Sequence, residues 1–229
     1  MLPDYTYEQI AKMIDSALLN PAMSDSEMEE GCRLAFQYDI AAVCVKPYFL
    51  KRCVEILKGS AVRPTTVIGF PHGSQTTATK IAESREVLRD GACEIDVVVN
   101  IGKVLSGDWN FVREDIAAVV RVAHENSGFA KLIFENCYLT KEHKIALCRI
   151  CTEAYVDFAK TSTGFGTSGA FTEDIRLMRM HLPEEIRLKA SGGIRTLDSL
   201  LEFRKLGVAR IGTSATPAIL DECMRRLSK

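Results

Sequence analysis

Five charged residues stand within or at the ends of short apolar runs: Asp15 in MIDSAL, Asp96 in EIDVVV, Lys131 in AKLIFE, Lys160 in VDFAK and Lys189 in RLKA. Burying an unpaired charge is costly, so residues in such places pair, shift their pKa or perform chemistry. A structural reading makes Lys160 and Asp96 one ion pair inside the core. Two lysines on successive strands favour a chemical reading. If Lys160 and Lys189 share one space, each disfavours protonation of the other, and one of them tends to a neutral amine. A neutral amine in a partly dry site attacks an aldehyde or ketone to form a Schiff base. The second lysine is then available as the acid, and Asp96 can move protons.

The residues around Lys160 suit a small polar ligand. In DFAKTSTGFGTSG the stretch from Val156 to Ala159 sheathes the amine, and the Thr-Ser-Thr-Gly turn ending at Gly164 offers hydroxyls and bare N–H groups. The runs ASGGIRT and IGTSA place Gly192 and Gly193 after one strand, and Gly212, Thr213 and Ser214 after the next. Glycine turns that lead into helix N-termini are ready phosphate cradles. The plainer alternative for Gly192 and Gly193 is a tight turn between strand and helix. No metal or other cofactor is expected. The four histidines, His72, His124, His143 and His181, lack ligand spacing, and His72 in GFPHG reads as a loop residue. Cys148 and Cys151 form a C-x-x-C within the helical pattern KIALCRICTEA; without a second ligand pair nearby, core packing is favoured over a zinc or redox site.

These residues need a scaffold that gathers strand ends. Eight short runs read as strands: 13–18, 40–45, 66–69, 94–99, 130–135, 156–160, 187–190 and 208–211. Helical period fills the gaps. Thr77, Ile81, Ser84 and Leu88 share a face, as do Ile116, Val119, Val120 and Ala123, and Leu197, Leu200, Leu201 and Leu206 nearly do. Thr6 with Gln9 and Ser24 with Glu27 have capping-box spacing, while Gly91 and Gly207 stand where helices must stop before a strand. Eight β/α units of about 29 residues each fit an α/β fold, the closed (β/α)8 TIM barrel, whose chemistry belongs at the C-terminal ends of the strands. Residues 1–229 read as a single barrel domain with a short N-terminal helix. An open doubly wound sheet is the runner-up, but IDSALLNP lacks the glycine fingerprint expected after its first strand.

Composition agrees with this scaffold. The chain has 229 residues, 47% of them hydrophobic, enough for one large core. Its 29 Lys and Arg against 30 Asp and Glu leave a formal net charge of -1. That balance carries no basic field for nucleic acid or anionic lipid and points to a small-molecule partner. Asp4, Glu8 and Lys12 interrupt any signal-peptide core, and no run approaches the roughly 18 apolar residues of a membrane span. The cytoplasm is the expected location, with the eight cysteines reduced. Association of the chain with itself, as a homo-oligomer, is left open.

Four motifs, VIGFPHGSQTTATKIAE, EIDVVVNIGKVLSGDW, DFAKTSTGFGTSGA and LKASGGIRT, closely resemble the deoxyribose-phosphate aldolase family, in order over roughly residues 13–215. The resemblance implies a metal-free class I aldolase on a TIM barrel that reversibly cleaves 2-deoxy-D-ribose 5-phosphate into D-glyceraldehyde 3-phosphate and acetaldehyde. It puts the family's Schiff-base lysine on Lys160, its acid/base lysine on Lys189 and its proton-relay aspartate on Asp96. There are departures. His and Lys are common in the family where Ser16 and Asn20 stand, which implies a changed rate or substrate preference. A second serine is often found where Ala215 stands, which implies a slightly weaker phosphate contact. Some members end in a tyrosine said to assist catalysis; this sequence ends in Lys229, so that device is expected to be absent. Position 165 holds Lys in some members and Phe in others, as here. Two alternatives stand beside this reading: a related Schiff-base aldolase with a different aldehyde or sugar phosphate, and a catalytically silent barrel that binds a sugar phosphate. The joint presence of Lys160, Lys189 and Asp96 speaks against the silent barrel.

Overall fold

The eight apolar runs form eight parallel strands, and the last returns to pair with the first. In the computed structural model, which describes residues 4–228, these are β1 (Ile14–Leu18), β2 (Ala42–Val45), β3 (Arg63–Ile68), β4 (Glu94–Val98), β5 (Phe129–Ile133), β6 (Phe158–Lys160), β7 (Arg187–Ser191) and β8 (Arg210–Thr213). They pair in sequence order into a closed barrel. Helix α1 (Tyr7–Ala11) precedes β1, and α2 (Asp25–Gln37), α3 (Leu50–Ile56) and α4 (Thr77–Arg89) follow β1 to β3. Helices α5 (Ile101–Leu105) and α6 (Trp109–Glu125) both follow β4. The remaining crossings are α7 (Lys141–Glu153), α8 (Thr172–His181), α9 (Leu197–Lys205) and α10 (Thr216–Leu227). This is the (β/α)8 TIM barrel of the α/β class. Residues 1–3 and Lys229, on which the domain bounds and the terminal-tyrosine expectation touch, lie outside the described residues.

Local sequence explains where elements begin and end. At α2, Ser24 Oγ accepts the Glu27 N–H while the Glu27 carboxylate accepts the Ser24 N–H, and Thr6 with Gln9 does the same for α1. Gly91 and Gly207 fall between α4 and β4 and between α9 and β8. Each strand differs from its expected bounds by one to three residues at one end or both, and two of the differences have a local cause. β3 starts at Arg63 rather than 66, because Pro64 lacks a donor yet still serves at a strand start, its carbonyl accepting the Cys93 N–H at 2.9 Å. β8 spans Arg210–Thr213 rather than 208–211, since its interior face carries Arg210 and Gly212 where apolar residues were sought. The buried face of α4 is also rotated: Lys80, Ser84, Val87 and Leu88 form it, and Thr77 and Ile81 lie at its edge. Lys80 tolerates burial because its Nζ donates to Asp115 at 2.6 Å and to the Val98 carbonyl at 2.9 Å.

Side chains alternate along a strand, so each strand gives one face to the helices and one to the barrel interior. Ile14, Val43, Ile95, Leu132, Ala159 and Leu188 face outward and join the helices in the main core. A second, small cluster of Leu19, Cys44 and Val67, with Ala17 and Phe70 packed against it, lies inside the mouth beside β1 to β3. The interior of β4 to β8 is charged instead, with Glu94, Asp96, Lys131, Lys160, Lys189 and Arg210 all buried. Cys148 and Cys151 are free thiols fully buried in α7, where they pack as core residues. Among the described residues no helix is long and apolar enough to cross a membrane.

Candidate active site

Lys160 closes β6 and Lys189 stands within β7, and the two are register partners across the ladder. Partners in a ladder share their in/out phase, so both side chains enter the barrel. Asp96, at the centre of β4, meets them there. Its Oδ2 accepts from Lys160 Nζ at 2.7 Å and from Lys189 Nζ at 2.8 Å, and its Oδ1 accepts from Lys131 Nζ at 2.9 Å. Asp96, Lys160 and Lys189, the three candidates for chemistry, therefore form one buried cluster.

The isolated Lys160–Asp96 pair of the structural reading is not what forms. Lys189 also reaches Asp15 at 2.5 Å, Lys131 reaches Glu94 at 2.5 Å, and Arg210 bridges Asp15 and Glu94 at 2.6 and 3.2 Å. Arg63, half exposed at the base of the barrel, adds a contact to Glu94 at 3.1 Å. Among the buried groups of this cluster, Asp15, Glu94 and Asp96 are matched by Lys131, Lys189 and Arg210, and Lys160 is the cation left over. Electroneutrality of the buried cluster therefore favours Lys160 as a free amine. Glu94 and Arg210 were not among the sequence candidates. The spacing of two between Glu94 and Asp96, which puts both on one strand face, was the signal for Glu94.

The two lysines differ in their carboxylates. Burial disfavours the Lys160 ammonium most; Asp96 opposes this, Lys189 adds to it, and the net shift is downward. Burial acts on Lys189 in the same sense, but Asp15 and Asp96 together outweigh it and its pKa rises. Burial would raise Asp96, yet Lys131, Lys160 and Lys189 hold it well below the usual carboxylate range. The site thus presents a weakened ammonium, a firm one and a carboxylate that stays ionised between them.

Above the lysines the barrel opens into a cavity of about 420 Å³. Gly164, Gly192, Gly193, Gly212, Thr213 and Ser214, expected to cradle a phosphate, all line it. Gly192 is pressed against a neighbouring loop, where a Cβ on Gly169 would fall 2.2 Å from the Gly192 carbonyl oxygen. Across the mouth, Ala17, Leu19 and Cys44 make an apolar wall. Burial, with Asp96 adding to it, pushes the Cys44 thiol up to about 12, so it stays protonated.

Several expected hydroxyls are otherwise engaged. Thr161 Oγ1 donates to the Ser191 carbonyl at 3.3 Å, Thr163 Oγ1 donates to Glu135, and Thr213 Oγ1 donates to the Ile194 carbonyl at 2.6 Å while accepting the Ala215 N–H at 3.0 Å. The turns therefore offer an anion their backbone N–H groups and Ser214 rather than threonine side chains. Arg195 also lines the cavity and was not anticipated. Of the two departures after β1, Asn20 lines the cavity, whereas Ser16 lies on the outward face with Ile14 and Leu18. Phe165 lines it as well, its ring edge-on to Phe70 with centroids 5.4 Å apart. His72 is an exposed loop residue, and among the described residues no three His, Cys, Asp or Glu side chains are grouped to hold a metal ion.

Residues 9–214 match the family described as DeoC/LacD family aldolase, a span that takes in Asp96, Lys160, Lys189 and the cavity glycines. The chain belongs to that family. Among its relatives, the deoxyribose-phosphate aldolase of Rhodopirellula baltica is 49% identical over 226 residues, covering 99% of this chain and 94% of its own length. The deoxyribose-phosphate aldolase of Thermococcus gammatolerans is 47% identical over 214 residues, covering 93% and 95%. A solved structure in the same family, the tetrameric deoxyribose phosphate aldolase from Aeropyrum pernix, superposes with a TM-score of 0.88 at 28% identity, covering 95% of this chain and 92% of that one.

Proposed function

We propose that the protein is a class I aldolase that reversibly cleaves 2-deoxy-D-ribose 5-phosphate to D-glyceraldehyde 3-phosphate and acetaldehyde. The observation that carries this is a buried lysine, Lys160, at the floor of the cavity, bound to the Asp96 oxygen that a second lysine, itself held by Asp15, also contacts. Lys160 Nζ attacks C1 of the open-chain sugar phosphate, Lys189 protonates the C1 oxygen, and water leaves to form the iminium. The C3 hydroxyl gives its proton to the Asp96–Lys189 relay, the C2–C3 electron pair moves toward the nitrogen, and D-glyceraldehyde 3-phosphate departs. The remaining enamine takes a proton at C2, and water releases acetaldehyde and free Lys160. In the enamine the Lys160 nitrogen is neutral, so Asp96 faces one cation fewer and its affinity for a proton rises.

The phosphate sits on the N–H groups of the turns at Gly164, Gly192, Gly193 and Gly212 to Ser214, with Arg195 nearby on the cavity wall. Borohydride added with substrate should trap an adduct on Lys160, read by peptide mass mapping. An adduct on another lysine, or none with active protein, would overturn the assignment.

Asn20 in the cavity wall supports a second reading, a changed acceptor preference, since a neutral side chain stands where the family commonly has a base. Comparing turnover of deoxyribose 5-phosphate with that of other sugar phosphates decides it. The same proposal takes residues 1–229 as one barrel domain and places it in the cytoplasm, where eight free thiols stay reduced. It also takes the chain to form a homo-oligomer, on the likeness to the tetrameric Aeropyrum pernix structure, which light scattering would test.

A further inference from the structure

Ser191 closes β7, is only 4% exposed, and lines the cavity. Its backbone is held on both sides by one hydroxyl: the Ser191 N–H donates to Thr161 Oγ1 at 3.1 Å, and the Ser191 carbonyl accepts from it at 3.3 Å. Its own Oγ has no hydrogen-bond partner among the described residues. A buried hydroxyl with nothing to bind is worse than alanine at the same place, so an unpartnered one in a cavity wall points to a ligand.

The neighbouring strand makes room for it. Ser191 pairs with Gly212, and a Cβ there would fall 2.3 Å from Ser191 Oγ and 3.3 Å from Lys189 Cε. Gly212 thus keeps open the space in which both side chains stand. Lys189 and Ser191, two apart on β7, share the inward face, and the Gly192–Gly193 turn continues from them toward the mouth.

That order along β7 matches the order of atoms along the substrate. Resting on the aldolase reading, Lys189 serves the oxygen on C3 and the glycine turn serves the phosphate on C5. Between them lies C4 with its hydroxyl. We propose that Ser191 Oγ hydrogen-bonds the C4 hydroxyl of the sugar phosphate, and so selects 2-hydroxyaldehydes as the leaving product and as the acceptor in the reverse direction. The bond satisfies the buried oxygen and fixes the carbon next to the one whose bond breaks.

The test pairs Ser191→Ala with a substrate that lacks only that hydroxyl, 2,4-dideoxypentose 5-phosphate. Wild-type preference for deoxyribose 5-phosphate over this analogue, measured as the ratio of kcat/KM values, is expected to fall about tenfold in the variant. The melting temperature is expected to stay the same or rise, because no bond within the protein is lost. An unchanged ratio, whether through equal loss on both substrates or no loss on either, would overturn the inference while leaving the aldolase reading intact. A wild-type chain that cleaves no deoxyribose 5-phosphate overturns that reading, and the inference with it.

Discussion

Lys160 and Lys189 donate to the same oxygen: Asp96 Oδ2 lies 2.7 Å from one Nζ and 2.8 Å from the other. Only Lys189 has a second carboxylate, Asp15 at 2.5 Å. That asymmetry divides the labour. Lys189 keeps its proton and Lys160 gives its proton up more readily, although both lie in the same strand layer and both are buried.

Replacing Lys189 with Met removes a positive neighbour that lowers the Lys160 pKa and leaves Asp96 Oδ2 to Lys160 alone. Both changes raise the Lys160 pKa. The amine then becomes neutral only at higher pH, so the acidic limb of the pH–rate profile moves to the alkaline side and the rate at neutral pH falls by about 100-fold. Borohydride trapping of the imine across the neutral to alkaline range reads the shift. A limb that stays in place would show that Lys189 does not tune the nucleophile.

Asp96→Asn leaves Lys131, Lys160 and Lys189 facing a neutral amide in a buried site. Uncompensated buried charge of this kind costs about 3–5 kcal/mol. The urea midpoint should drop accordingly, together with loss of cleavage. A variant with wild-type stability would mean that the lysines find other partners.

Acid should unfold the protein through the same carboxylates. Burial would raise Asp15 and Asp96, but the neighbouring lysines, with Arg210 beside Asp15, hold both below their unfolded values. The unfolded chain therefore binds more protons as pH falls, and the stability these groups contribute is present above about pH 4 and lost below it. Melting temperature followed from neutral pH downward should stay level and then fall steeply, and the fall should be shallower in Asp96→Asn.

Thiol reactivity should follow burial. Burial pushes Cys44 and Cys148 up to about 12 and Cys151 well above its ordinary value, whereas Cys93, though burial raises its thiol too, belongs to an exposed residue that a reagent can reach. Iodoacetamide at mildly alkaline pH should modify Cys93 in the native protein and leave Cys44, Cys148 and Cys151 intact until denaturant is added. Rapid native labelling of Cys148 or Cys151 would contradict their place in the core.

The alternation of strand and helix was legible because each strand buries at least one apolar face and each helix shows its period. The bounds of β3 and β8 were less so. Arg63, Arg210 and Gly212 face a barrel interior that is charged rather than apolar, and a search for apolar runs passes over such residues. Lys80 on the buried face of α4 escaped for a similar reason, since its partner Asp115 lies on α6. The glycines that line the cavity could be found because a turn at a strand end is a local event. The engagement of the Thr161, Thr163 and Thr213 hydroxyls could not, because each partner comes from another β/α unit.

By itself the sequence determined the eight β/α units and which charged residues had to sit in strands. Local periodicity and the cost of burying charge are written residue by residue. Only the closed barrel decided which lysine holds its proton less firmly, which hydroxyls remain open to a ligand and that Ser16 faces away from the cavity. Those outcomes depend on contacts such as Lys189 with Asp15, 174 positions apart, which exist only once β8 has closed on β1.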